Sequence, residues 1–365
     1  MKKILIILAL LYCVPVYSKT FDLGSGVELS ASGYIGWKQI ISDVKFDQIP
    51  SEPEIGLTTS LKLTDRITVF NQFKYGENID DVLVYNHISY DLPIPIDYFT
   101  VTLKGGRLLH DTFLYNSTRI NPRTRQGVFQ PQSVTWDSLG VTIVSGTGVG
   151  ADVKYKNLTV SYIADKMTII NPDLEAQAWA NNPLASNLKS GFDAQSLVLN
   201  YDVPEYGLRT KFWMGKESFD IDIVSLGTLH LGGEHFGVGA EWSHNNFIVS
   251  GEVMGTKRID VNWSQWKEIF FAPSFTVEYE LNDNLTIRGN YNQYRTPSDA
   301  PAPEIARYYK DINFGVNWHY NNIAIGAQVN YIQGGRLVAP NNVFDKPSDY
   351  NSYFVTGLNV VYFFD

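Results

Sequence analysis

The chain has 365 residues, a formal net charge of −9 and a single cysteine. An acidic balance without a basic block excludes nucleic acid as a partner, and one cysteine excludes an internal disulfide framework. No stretch after residue 18 is apolar for the eighteen or so residues that a membrane-spanning helix needs.

The remaining signal is aromatic: 22 Tyr, 20 Phe and 8 Trp in a chain otherwise this polar. A membrane β-barrel needs that mixture, with a polar interior, an apolar belt and aromatic side chains at both interfaces. A Tyr-rich soluble sandwich would give a similar composition.

Residues 1–18 read as a removable export signal. Lys2 and Lys3 precede an apolar run from Ile4 to Leu11, and Val16-Tyr17-Ser18 supplies permitted residues before a cut after Ser18. The run is too short to span a bilayer. Tyr12 stands where the small residue before a lipidated cysteine belongs, so Cys13 leaves with the signal. The exported chain, 19–365, then has no cysteine, and a closed hydrogen-bonded barrel is one way for it to hold together.

From there period-2 alternation recurs to the end. Val27, Leu29, Ala31, Gly33, Ile35 and Trp37 share one face, opposite Glu28, Ser30, Ser32 and Lys38. Sixteen strands are predicted, at 27–37, 54–63, 66–75, 82–90, 98–107, 148–156, 158–166, 195–203, 207–215, 235–243, 247–255, 272–281, 285–294, 310–320, 323–333 and 353–364. All are 9 to 12 residues long, enough to cross a bilayer when tilted. Seven short turns alternate with eight mostly long connections, near 42–53, 76–81, 108–147, 167–194, 217–234, 256–271, 295–310 and 334–352. Short turns on one rim and long loops on the other, with an even strand count, predict an all-β fold: a transmembrane antiparallel up-and-down barrel.

The third connection, near 108–147, is the longest and the most basic. A stretch of that length inside a compact domain is either functional or disordered. Tyr115, Phe129 and Trp136, set among Pro122, Gly127 and Pro131, argue for order. Four arginines, Arg107, Arg119, Arg123 and Arg125, stand against Asp111 and Asp137, a net of +2 in an acidic protein. In the fourth connection Asp173 to Asn181 suggests a short helix.

Other motifs carry less. The six histidines, His87, His110, His230, His235, His244 and His319, show no metal-ligand spacing, so no metal or other cofactor is expected. No G-x-S-x-G surrounds a serine; barrel lipases do not need one, and Ser133 with a distant His is the residual candidate, but no enzyme is expected. The run from Ser145 to Gly150 lacks the Lys-Ser/Thr of a phosphate loop and reads as a loop-to-strand junction.

The final strand carries a resemblance. Thr356, Leu358, Val360, Tyr362 and Phe364 alternate with Gly357, Asn359, Val361 and Phe363. This resembles the closing strand of Gram-negative outer-membrane barrels, in which the assembly machinery reads a terminal aromatic. Leu358, Val360, Tyr362 and Phe364 would be that signal, and Asp365 departs from the pattern by one residue. The whole plan of residues 19–365 resembles the sixteen-stranded porins. The stretch from Gly106-Arg107-Leu108 to Gln132-Ser133 is similar to a third-loop signature of porin-like proteins, while the acidic Pro-Glu-Phe-Gly-Gly motif of enteric porins is missing.

The resemblance implies integral outer-membrane location, contact with lipid and lipopolysaccharide, the barrel assembly machinery as a partner and a homotrimer. It also implies that the third loop folds into the lumen and sets the constriction. Arg107, Arg119, Arg123 and Arg125 then either face the channel as an anion site or fasten the loop to acidic wall residues. Strand parity puts Lys62, Lys74, Lys104, Lys154, Arg209, Lys211 and Arg288 inward as a basic arc. It puts Glu241, Glu252, Glu278 and Glu280 inward as an opposing acidic arc, and two such arcs would set up a transverse field. Val153, Val277 and Ile287 are expected to face hydrocarbon, and Thr276 and Thr286 the lumen. The expected function is passive diffusion of small hydrophilic solutes, weakly anion-selective. A specific channel for phosphate, sulfate or a sugar acid is the first alternative, and a receptor or adhesin barrel the second. With strands starting within ten residues of the cleavage site, an energised transporter with an N-terminal plug is not expected.

Overall fold

The computed structural model describes residues 19–42, 52–75, 83–112, 114, 145–167, 185–190, 194–223, 227–260, 270–295, 308–334 and 352–364. In chain order the elements are β1 (Lys19–Asp22), β2 (Glu28–Ser42), β3 (Glu52–Lys62), β4 (Ile67–Tyr75), β5 (Leu83–Asp91), β6 (Phe99–Leu109), β7 (Ser145–Tyr155), β8 (Leu158–Met167), β9 (Ala185–Ser190), β10 (Ala194–Val203), a 3-10 turn (Pro204–Tyr206), β11 (Leu208–Ile223), β12 (Gly227–His244), β13 (Phe247–Asp260), β14 (Phe270–Asn282), β15 (Leu285–Arg295), β16 (Tyr308–Tyr320), β17 (Ile323–Gly334) and β18 (Ser352–Phe364).

Sixteen of these, β2 to β8 and β10 to β18, pair antiparallel with their neighbours, and β18 returns to pair with β2 from Phe364↔Gly33 to Val355↔Ser42. Closure removes the free sheet edge that lipid could not satisfy. The short strand β1 completes this seam. It pairs with β2 from Lys19↔Ala31 to Asp22↔Glu28, on the edge that β18 occupies further along, so it continues the line of β18 past Phe364.

The turns explain the short rim. Lys156, Asn245 and Asn321 each have positive φ at the first position of a two-residue turn, the conformation that suits the twist of a hairpin. Turn carbonyls also accept from the following hairpin: Asp202 N bonds Asn157 O at 3.0 Å, Glu280 N bonds Asn246 O at 2.9 Å and Phe363 N bonds Asn322 O at 2.7 Å. Gly207 follows the 3-10 turn with φ of 62°, and a Cβ there would lie 2.0 Å from Ser243 O.

Three expectations change. The fifth connection, expected at 217–234, is largely a ladder, because β11 runs to Ile223 and β12 starts at Gly227 with Ile223↔Gly227 in register. Alternation simply continues there through Phe219, Ile221 and Ile223. Strand β13 likewise runs to Asp260, and the unexpected β9 pairs with the extended part of β11. Strand β2 runs five residues past the expected end at 37, to Ser42. The expected helix at 173–181 lies outside the described residues.

Candidate functional site: the barrel interior

Parity is settled by exposure. On β18 Phe354, Leu358 and Val360 are exposed, while Tyr353, Val355, Asn359, Val361 and Phe363 are buried. The expected assembly residues Leu358, Val360, Tyr362 and Phe364 therefore share the outward face. Inside, Val361 and Phe363 pack with Tyr34 and Ala324. Residues opposite one another in register share a face, so this assignment carries around the wall.

On that basis Lys62, Lys104, Lys154, Arg209, Lys211 and Arg288 lie inward, as do Glu241, Glu252, Glu278 and Glu280. Lys74 stands opposite inward Gly56. In strand order Lys62, Lys74, Lys104 and Lys154 on β3, β4, β6 and β7 lie about half a ring from the acidic residues on β12 to β14, whereas Arg209, Lys211 and Arg288 stand on strands beside them. Arg209 and Glu241 are in register on adjacent strands, with Nη2 3.1 Å from Oε2. Arg288 faces Glu278 in register and donates to Gln328 Oε1 at 3.0 Å. Lys104 pairs with Asp152. Neighbouring strands are only about 4.8 Å apart, so inward charges of opposite sign meet each other along the wall. Exposure falls away from the short rim: Lys154 and Glu280 are exposed, while Lys211, Glu252 and Arg288 are buried.

The first described residues of the third connection enter this interior along the wall. At the end of β6, Leu108 and His110 turn inward and are buried. Both ring nitrogens of His110 are used: Nδ1 lies 2.6 Å from Ser196 Oγ on β10, and Nε2 lies 2.6 Å from Asp165 Oδ2 on β8. At the next residue, Lys211 Nζ on β11 is 3.0 Å from Asp111 Oδ2 and 3.1 Å from Asp111 O. Leu114 then donates its N–H to Glu252 Oε1 on β13 at 2.9 Å, and Trp213 Nε1 donates to the same oxygen at 3.4 Å. The Leu114 side chain lies over Gly239 of β12, where a Cβ would come within 2.5 Å of it. The start of the connection thus passes β8, β10, β11, β12 and β13 in order.

Ser196, His110 and Asp165 have the connectivity of an acyl-transfer triad. Their burial is 2%, 0% and 0% exposed, so no substrate carbonyl reaches the hydroxyl, and the three act as a latch. Among the described residues no three His, Cys, Asp or Glu are grouped to hold a metal ion.

A second inward network lines β14 to β17 and is made mainly of amides. Asn290 donates to Thr276 Oγ1 at 2.5 Å and accepts from Asn313 at 3.1 Å; it also accepts from Asn292. Asp311 accepts from Asn313 at 3.3 Å and from Asn330 at 3.0 Å, and Asn330 accepts from Gln328 at 2.9 Å. This wall carries donors and acceptors with little net charge.

Sequence reading missed His110, Asp165 and Ser196 because they lie on three separate elements. It also missed the amide network, whose only signal is amides two apart, as at Asn290 and Asn292 or Gln328 and Asn330. A usable signal for the docking track was Gly233, Gly237 and Gly239 on one face of one strand, since glycine in a strand marks close approach. Arg107 departs from its expected place at the constriction. It is a β6 residue opposite Asn86 and Thr147, on the outward parity of exposed Leu103 and Val149. Arg119, Arg123 and Arg125 lie outside the described residues.

A closed antiparallel barrel of sixteen strands, with short turns on one rim and polar side chains on the inward face, has the fold of porin-like outer-membrane β-barrels. No protein-family model matches the sequence, and no curated protein matches it. Solved structures do. The chain is similar to OmpT of Vibrio cholerae, with a TM-score of 0.62 and 12% identity over 94% of this chain and 100% of that one. The trimer form of that protein matches with a TM-score of 0.59 and 11% identity over 93% and 100%. The anion-selective porin from Comamonas acidovorans matches with a TM-score of 0.62 and 10% identity over 93% and 100%. Salmonella typhi OmpF in complex with daunomycin matches with a TM-score of 0.61 and 13% identity over 93% and 98%. Identities this low speak for the fold alone.

Proposed function

We propose that the protein is a passive diffusion channel for small hydrophilic solutes, weakly anion-selective through Arg119, Arg123 and Arg125. The observation that carries this reading is the position of Leu114, fixed against the inner wall by its N–H bond to Glu252. Arg119 follows five residues later, so it lies within about 18 Å of Leu114. Because several described wall charges are paired, Arg209 with Glu241 and Lys104 with Asp152 among them, a few further guanidiniums would weigh heavily in the local potential. Export through residues 1–18, recognition of the last strand by the barrel assembly machinery, contact with lipopolysaccharide and assembly as a homotrimer complete the proposal. No catalytic step is part of it. The outer face of β3 to β5 supports a subunit contact, since Asn71 donates to Thr59 at 3.2 Å and Asn86 to Asn71 at 2.6 Å on a face otherwise suited to hydrocarbon.

Single-channel recording in planar bilayers tests the reading. A stepwise ohmic conductance is expected, with a reversal potential in a salt gradient displaced modestly toward anions. A folded barrel that inserts without conductance would contradict it.

A further inference from the structure

Among the described inward aromatic side chains Phe70 stands apart. Tyr34, Tyr85, Trp213, Tyr353 and Phe363 also point inward, and all five are buried. Phe70, on the same inward parity, is half-buried and keeps part of its ring open to the lumen. It is the fourth residue of β4 counted from the short turn, so it lies in the short-rim half of the barrel. Its ring stands beside that of His87 on β5, with centroids 5.3 Å apart and planes tilted by 34°. The row that holds the two rings runs in register through Thr20, Ser30, Ser60, Phe70, His87 and Gly106. At Gly106 the wall has no side chain, and a Cβ there would come within 2.3 Å of the main-chain oxygen of Asn86. The two rings therefore have hydroxyls on one side and a bare stretch of wall on the other.

We propose that the open face of Phe70 binds the ring of a neutral sugar in the lumen. A sugar ring has a face of C–H bonds and an edge of hydroxyls. The π face of an aromatic ring is electronegative and attracts C–H hydrogens. Contact also removes apolar area of both partners from water. The hydroxyl edge finds partners one strand spacing away at Ser60, about 4.8 Å, and two residues along β4 at Thr68 and Gln72, about 7 Å. All three are half-buried, so a solute reaches them. Lys104, in the row of Thr68 and Ser89, pairs with Asp152, and both side chains are 26% exposed. That pair offers hydrogen bonds with its charges already matched, which suits a neutral solute better than an ion. The inference rests on the reading of the interior as a solute path, to which it adds a class of solute, and it does not depend on ion selectivity.

The test uses the full barrel refolded in lauryldimethylamine oxide, a detergent without a sugar head group. Methyl α-glucoside is the probe, and saturation-transfer NMR from protein to solute is the readout. The wild type is expected to pass saturation to the ring C–H protons of methyl α-glucoside, and to bind it in preference to sorbitol, which has the hydroxyls without the ring. F70L keeps an apolar side chain and removes the aromatic face; it is expected to bind roughly tenfold more weakly, a change of about 1.4 kcal/mol. F70W restores a ring and is expected to bind as the wild type does, as is F314A, which removes an exposed outward aromatic. Should F70L fail to assemble, the wild-type preference for methyl α-glucoside over sorbitol must still hold. Equal binding by wild type and F70L, or equal binding of the two solutes, overturns the proposal. Binding of phenol without binding of methyl α-glucoside overturns it too, and assigns the ring to aromatic solutes. Binding is read at equilibrium without a current. A barrel that binds the sugar and does not conduct fails the channel reading alone, and one that conducts and does not bind fails this proposal alone.

Discussion

Lys211 and Asp111 lie a hundred positions apart in sequence, yet the ammonium of one touches both a carboxylate oxygen and the main-chain oxygen of the other. Lys211 is only 4% exposed, whereas Asp111 is 35% exposed. The two partners should therefore respond unequally to removal. In D111N a buried ammonium loses its countercharge, which costs about 3–5 kcal/mol when compensation is absent; the surviving carbonyl contact puts the expectation at the low end. In K211M the aspartate is left where water reaches it, and the cost is smaller. Urea unfolding of the refolded barrel in detergent checks the order, and the reverse order would show that the pair does not anchor the connection.

The seam gives a second prediction. Removing residues 352–365 deletes β18 and strips β2 of the ten partners it has between Gly33 and Ser42. The open barrel would present unpaired strand edges to lipid. The truncated chain is expected to lose the fast-migrating unheated form on detergent gels and to disappear from outer-membrane fractions. Deleting β1 removes only four register pairs beyond the end of β18 and should leave a heat-modifiable barrel. Assembly of the β18-less chain would refute the closure argument.

How much was legible follows from what each feature depends on. Strand positions depend on local alternation, so all sixteen wall strands were readable, and the Asn- and Lys-bearing turns fixed the short rim. The extensions of β11, β12 and β13 were misread as loop because their alternation runs past the length a membrane crossing requires. Strand β1 was missed since four residues hold no period. Inward parity was readable residue by residue, but the pairing of Arg209 with Glu241 or Lys211 with Asp111 depends on register and on the path of a connection. Neither is written in any single strand. Arg107 was misplaced for a related reason: grouping it with the basic connection ignored that β6 continues through it.

Parity itself can be tested by arginine substitution. Val153, Val277 and Ile287 lie on the outward face with exposed Tyr155 and Phe275. Arg at any of the three is expected to cost about 2–4 kcal/mol near the bilayer midplane, and less toward the rims. Arg at Thr286, which faces the interior next to the short rim, should be tolerated. Thr276 is different from the simple expectation for a lumen position. It is buried and accepts from Asn290 at 2.5 Å, so T276R should disrupt the amide network and destabilise the barrel. Equal tolerance of V277R and T286R in unfolding titrations would show the register to be wrong.

The last prediction concerns Arg119, Arg123 and Arg125, which fall within seven residues and are interrupted by Pro122. Charges further than about 8 Å are screened at physiological salt, so the net −9 of the chain has little influence at a narrow point. Among the described wall charges several are paired, Arg209 with Glu241 and Lys104 with Asp152 among them. The three guanidiniums should then set the sign of the potential that a permeating ion meets. Replacing all three with Gln is expected to move the reversal potential in a salt gradient toward cations and to relieve salt-sensitive block by multivalent anions. Glu252 already accepts the main-chain N–H of Leu114, so the wall holds the connection without these side chains, and the triple variant should still assemble. Misassembly would assign the arginines to fastening, while an assembled variant with unchanged reversal potential and unchanged block would remove them from the conduction path.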